Sequence, residues 1–163
     1  MEKYLLKIKV TFTGIILCAL MIQCKKETLP VPDNDLNLLI NKINLLRQSG
    51  CNCGSDYMPP VPDLTLNIFL QHAALAHAKD MAQRNYFDHL SPEGTSPNER
   101  AVSAGYTGVF ISENLARGYG NANQVIAAWK TSISHCKAMM DAISSEAGGG
   151  EAQNYWVVSF GSH

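Results

Sequence analysis

Between Leu66 and Arg84 the residues Leu66, Phe69, Leu70, Ala73, Ala74, His77, Ala78 and Met81 recur at steps of three and four, which places them on one face of a helix. The face is built largely of alanine. Side chains this small let a helix lie against its neighbour almost backbone to backbone, so the chain must supply a second layer shaped to receive it. His77 lies on this face and reads as a hydrogen-bonded core histidine, whereas His72 points away from it, towards solvent.

The rest of the chain supplies such layers. With 163 residues, 46% hydrophobic and 17% charged, it suits one globular domain able to bury roughly two-thirds of its unfolded surface. A first helix starts at an Asp33 or Asn34 cap and carries the stripe Leu36, Leu39, Ile40, Ile43, Leu46. Gly50 to Pro62 reads as a loop, and Asn85 to Thr95 as another. Ser96-Pro97-Asn98-Glu99 is a capping box with proline at the first helical position, so a short helix runs to about Ala104 and stops at Gly105. Val109, Ile111, Glu113 and Leu115 alternate with Phe110, Ser112 and Asn114, as in a strand. Asn121 or Asn123 caps a helix carrying Val125, Ile126 and Trp129, and Ser134 caps another that begins at His135. Gly148-Gly149-Gly150 reads as a flexible turn, since it lacks the lysine of a phosphate loop. Trp156, Val158 and Phe160 alternate with Tyr155, Val157 and Ser159 in a closing strand. Helices with interspersed strands and no internal repeat indicate an α+β domain.

The N-terminus has a different character. Lys3, Lys7 and Lys9 precede the apolar run Val10–Ile22, too short to span a bilayer as a helix and of the length of a signal-peptide core. Residues 1–23 therefore read as a signal peptide, 24–33 as a polar, proline-containing tether, and 34–163 as the domain. Ala19-Leu20-Met21-Ile22-Gln23-Cys24 resembles a bacterial lipobox whose cysteine is acylated, although Met21 and Gln23 depart from its usual residues. The expected location is the bacterial cell envelope, by a lipid anchor at Cys24, or outside the cell if Cys24 is not acylated. A net charge of −1 excludes the strong basic field of a nucleic-acid binder. Export into an oxidising compartment makes a disulfide plausible. Cys51 and Cys53 are too close in sequence to bridge each other without strain, so one of them pairs with Cys136 and one thiol is left over.

Two features carry possible chemistry. Glu113 shares its expected strand face with apolar residues, where an unpaired carboxylate would be costly to bury, so it requires a cationic or hydrogen-bonding partner. His135 stands at an expected helix start, whose dipole favours the neutral imidazole. His89 lies in the loop after the alanine helix. Spacing alone does not bring the three together, and Ser91 or Ser134 lacks the nucleophile-elbow context of a serine hydrolase.

Ala73-Ala74, His77-Ala78, Met81-Ala82 and Asn85-Tyr86-Phe87-Asp88-His89-Leu90-Ser91-Pro92-Glu93-Gly94 resemble the signature of the CAP superfamily: cysteine-rich secretory, antigen 5 and pathogenesis-related proteins, or SCP domains. Arg100, Ala104-Gly105-Tyr106, Glu113-Asn114-Leu115-Ala116, Trp129, Ser132, His135 and Tyr155-Trp156-Val157-Val158-Ser159-Phe160-Gly161 follow in the same order. Cys53-Gly54 and Ser132-Ile133-Ser134-His135-Cys136 resemble bacterial, lipoprotein-like members.

The resemblance implies a three-layer α-β-α sandwich with a central, mainly antiparallel sheet, and a disulfide between Cys53 and Cys136 with Cys51 spare. It implies a cleft in which His89, Glu113 and His135 converge, a set suited to zinc or a similar divalent cation. The family's second cleft glutamate falls on Ser132 here. No general catalytic activity follows from the fold. The expected function is a binding module for a small ligand, a lipid, a metal or an envelope protein. The alternatives are a metal-assisted hydrolase or peptidase with Glu113 as base, and an adhesive domain with a vestigial cleft.

Overall fold

The alanine helix and its partner layer organise the fold. In the computed structural model, which describes residues 34–163, the helix is α2 (Ile68–Arg84) and follows α1 (Asn34–Ser49), β1 (Cys51–Cys53), β2 (Asp56–Met58) and β3 (Thr65–Leu66). Then come α3 (Pro97–Ser103), β4 (Val109–Arg117), α4 (Ala122–Thr131), α5 (Ile133–Met139), β5 (Glu146–Ala152) and β6 (Tyr155–Ser162). The signal peptide, Cys24, the tether and the Asp33 cap lie outside the described residues, as does the side chain of Leu36. Among the described residues no helix is long and apolar enough to cross a membrane.

The sheet runs β3-β5-β6-β4; only the β3–β5 pair is parallel. β6 is buried along nearly its whole length, and its two faces serve two layers. Trp156, Val158 and Phe160 pack with Leu39, Ile43, Val125 and Trp129 of α1 and α4, while Tyr155 and Val157 pack with Ala74, Ala78 and Met81 of α2. The chain is thus an α+β sandwich with helices on both faces of a mainly antiparallel sheet.

Gly148, Gly149 and Gly150 do not form a turn; they are the middle of β5. A β-carbon on Gly148 would sit 2.0 Å from the backbone nitrogen of Gln71, and one on Gly150 2.3 Å from that of Leu75. Glycine is disfavoured in strands because it offers nothing to pack, but here the helix backbone occupies the space a side chain would need. α2 also begins later than its apolar spacing suggests. Asn67 caps it by accepting from the Phe69 and Leu70 amides, and Leu66 belongs to β3. Phe69 is left exposed, while Gln71 is buried.

Other expectations shift locally. The 50–62 loop contains the β1–β2 hairpin, which is paired to itself and not to the main sheet. A β-bulge between Phe110 and Ser112 changes the phase of β4. Phe110 therefore packs towards α2 and Ile111 towards the opposite core, so Ile111 and Glu113 do not share one continuous face. Cys53 is bridged to Cys136 across 83 residues, and among the described residues Cys51 is the free thiol, and it is buried. A closed loop of that span is worth roughly 4 kcal/mol in the chain-entropy account.

On the α1 side, Arg47 is fully buried and has no carboxylate hydrogen-bonded to it among the described residues. Its guanidinium donates to the carbonyls of Pro62, Met139, Asp141 and Ser144, tying α1 to the segment before β3, the end of α5 and the chain after it. Burial pulls its pKa down from the usual arginine value, with Asp141 and Asp63 opposing.

Gly150→Ala should destabilise the domain by about 3 kcal/mol or more, since the new methyl meets backbone and not a yielding side chain. Urea unfolding of the two proteins measures it; an unchanged midpoint would mean that α2 is free to move off the sheet.

Candidate functional site

β4 is the edge strand of the main sheet, and the site forms where the two helical layers meet beside it. From the α2 side comes the loop carrying His89. α2 ends at Asn85, which adopts the left-handed conformation (φ 52) that asparagine tolerates, and the chain reverses. Three contacts then hold the loop. His77 is buried and its Nε2–H donates to the carbonyl of Asp88 (2.9 Å), next to His89. Arg100, on the second turn of α3, donates through Nη1 to the carbonyls of His89 and Thr95, both at 2.9 Å. Arg84 pairs with Glu93 further along.

The partner that Glu113 requires is present twice. Its side chain is 2% exposed, and Arg100 Nη2 lies 3.1 and 3.0 Å from its two oxygens. The Nδ1–H of His89 donates to Oε1 at 2.9 Å. One guanidinium therefore neutralises the carboxylate and also fixes the loop that presents His89. The imidazole of His89 is itself half-exposed, and its Nε2 has no hydrogen-bond partner among the described residues.

His135 reaches the site from the other layer. α5 starts at Ile133 and not at His135, because Ser132, with extended backbone angles, both ends α4 and opens α5; its side chain makes no capping bond. Two bonds fasten these helices to the exposed edge of β4. The Trp129 indole donates to the carbonyl of Leu115 (2.9 Å), and Asn114 Nδ2 donates to the carbonyl of His135 (3.0 Å). Burial holds the His135 pKa below the ordinary histidine value, and a charge on His89 pushes it the same way. Burial favours the neutral form expected from the sequence, and His135, the third residue of α5, still lies in its first turn.

His89 and Glu113 are thus in direct contact, with His135 in their electrostatic neighbourhood. They are not gathered as tightly as the ligands of one ion. Among the described residues the only three His, Cys, Asp or Glu ligand atoms within 4.8 Å of one another are the sulfurs of Cys51, Cys53 and Cys136. Beside His135 runs a mostly apolar groove of about 320 Å³ lined by Phe87, Leu115, Tyr119, Trp129 and Ser132. Ser132 stands where the resemblance places a second glutamate, so the groove has no carboxylate among its lining residues, and Arg117 is its charged side chain.

Sequence reasoning missed the roles of Arg100, Asn114 and Trp129. Arg100 was visible only as a residue shared with the resemblance. Thirteen residues separate it from Glu113, and no local pattern announces the pair.

Comparison with known proteins bears on the family and the fold. The profile of the cysteine-rich secretory protein family (CAP) matches residues 40–160. The chain is 32% identical over 99 residues to the uncharacterized protein YkwD of Bacillus subtilis, spanning 60% of this chain and 38% of that protein. The chain thus aligns with well under half the length of this relative. Among solved structures, an extracellular protein containing an SCP domain from Bacillus anthracis superposes with a TM-score of 0.71 at 20% identity, over 79% of this chain and 40% of the other. An outer surface protein from Borrelia burgdorferi gives 0.64 at 25% identity, over 78% and 91%.

Arg100→Met should destabilise the domain by about 3–5 kcal/mol, because it leaves the Glu113 charge buried with only His89 beside it. The His89 loop should then exchange its amide hydrogens faster than the rest of the domain. Mass-detected hydrogen exchange checks this, and a loop as protected as in the parent would refute the clamp.

A pH dependence follows from His77, whose pKa burial lowers despite the nearby Glu113 charge. The unfolded chain accepts a proton near pH 6.5 that the folded state resists, so this contribution to stability is intact above that pH and lost as pH falls below it. His77→Gln should flatten the fall in unfolding free energy between about pH 7 and pH 5. An unchanged slope would assign the acid sensitivity elsewhere.

Proposed function

The chain belongs to the cysteine-rich secretory protein (CAP) family, and from that premise we propose that it is an exported, lipid-anchored binding module whose ligand occupies the cleft of His89, Glu113 and His135. The observation that carries this reading is the state of Glu113. Arg100 covers both of its oxygens and His89 takes a further bond, so the carboxylate orients its neighbours and is poorly placed to accept a proton from water. That favours binding over metal-assisted hydrolysis with Glu113 as base.

The arrangement suits a ligand with an apolar part against Phe87, Tyr119 and Trp129 and a polar group or cation at the imidazoles. For a cation such as zinc we infer two ligands and not three, since the three side chains are not gathered as tightly as the ligands of one ion. His89 Nε2 and neutral His135 would hold the ion, while Glu113, bonded to His89 Nδ1, would orient that ring from behind. Carboxylates support metal-ligating histidines in this manner in many proteins. A bound ion would supply a positive centre for an anionic or carbonyl group of the ligand.

Export and anchoring rest on the basic start, the short apolar run and Cys24. The descriptions of two structural relatives, an extracellular and an outer surface protein, support that placement. Acylation with more than one chain is what would hold the domain stably on a membrane.

Two measurements test the proposal. Metabolic labelling with a palmitate analogue should mark the parent protein and not Cys24→Ala; label retained by the variant would exclude this anchor. In calorimetry, zinc binding should disappear in the double variant His89→Ala, His135→Ala and weaken about 10–100-fold in Glu113→Gln. An affinity unchanged by the double substitution would leave the three residues a structural role only.

A further inference from the structure

We propose that the Cys53–Cys136 bridge is one of two interchangeable disulfides, and that Cys51 is the resident thiol that displaces Cys53 from Cys136. Cys51 and Cys53 are two apart in β1, so their side chains leave the strand on the same side, and both are buried against α5. The Cys51 sulfur is 3.7 Å from that of Cys136, and all three sulfurs lie within 4.8 Å of one another. Cys136 therefore has two partners within reach, and the residue between them, Asn52, has its carbonyl directed at the Cys136 sulfur.

The exchange needs no outside oxidant or reductant. Cys51 gives its proton to solvent base, and the thiolate attacks the Cys136 sulfur. The bond from Cys136 to Cys53 breaks, and Cys53 leaves as a thiolate that takes up a proton. One S–S bond and one S–H bond exist before and after.

The surroundings set how the exchange proceeds. With the three sulfurs so close together, Cys51 stands beside the bridge and not in line behind Cys136, so the hairpin must slide along α5 before the attack. It is free of the main sheet and held to α5 by other contacts than the bridge: the Lys137–Asp56 ion pair and the packing of Ile133 on Gly54. Burial raises the Cys51 pKa, against an opposing effect of Lys130, which keeps the closed state slow to react. Because His135 directly precedes Cys136 in α5, the choice of partner bears on the wall of the cleft. The chemistry itself does not depend on what the cleft binds.

The test starts from folded, oxidised protein held without redox reagents, quenched in acid, unfolded and alkylated with N-ethylmaleimide. Tandem mass spectrometry of the peptide containing both hairpin cysteines then locates the free thiol. Two species are expected, with label on Cys51 or on Cys53. Chromatographic fractions enriched in either should regenerate the other on incubation in neutral buffer. Label confined to Cys51, or fractions whose composition stays fixed, would overturn the proposal. Cys53→Ser gives a second check: a folded protein with a Cys51–Cys136 bridge is expected, and free thiols at both positions would count against exchange. Should that variant fail to fold, the label distribution in the parent protein still decides.

Discussion

α2 and β5 approach each other backbone to backbone, where Gly148 and Gly150 meet Gln71 and Leu75 with no side chain between. Such contact demands small residues on both partners, and both supply them: Ala74 and Ala78 on the helix, glycine on the strand. The packing seats α2 on the sheet, and the left-handed Asn85 ends the helix and starts the loop bearing His89. It also leaves that side of the sheet thin, so the bulkier side chains Tyr155, Val157 and Leu115 fill the space beyond the glycines, towards β4.

The cleft is a consequence of this layering. Neither helical layer holds the full set of polar groups, and the edge of β4 is where the two come within reach of each other. Arg100 and His77 fix the loop from one side, each through a backbone carbonyl, while Trp129 and Asn114 fix α4 and α5 from the other. Glu113 joins the first group directly. A buried carboxylate is tolerable only with charge and hydrogen bonds supplied, and the same bonds that make it tolerable aim the His89 imidazole.

A similar economy holds on the opposite face. Arg47 carries its charge into the core, and four backbone carbonyls share its donors. It joins α1 to the end of α5 and the chain after it, next to the turn of α5 that the Cys53–Cys136 bridge joins to the hairpin. The α1 side is thus cross-linked by donors and by sulfur, whereas α2 is held to the sheet chiefly by close packing.

Elements with a strong local period were legible from the residues: the stripe of α1, the alanine face of α2, the capping box of α3 and the alternation of β6 all depend on neighbours within a turn or two. The need of Glu113 for a partner was equally legible, because it follows from charge and burial. The identity of that partner was not, since Arg100 is local to a different element and meets Glu113 only when α3 packs beside β4. The glycine strand was misread for the same reason. A run of glycines has no period, and its meaning lies entirely in the helix backbone pressed against it. The β4 bulge, the start of α5 and the choice of Cys53 over Cys51 also turn on contacts between segments far apart in the chain. Local spacing sets which faces are apolar; which faces meet, and which polar groups they bring together, is set by packing of the layers in three dimensions.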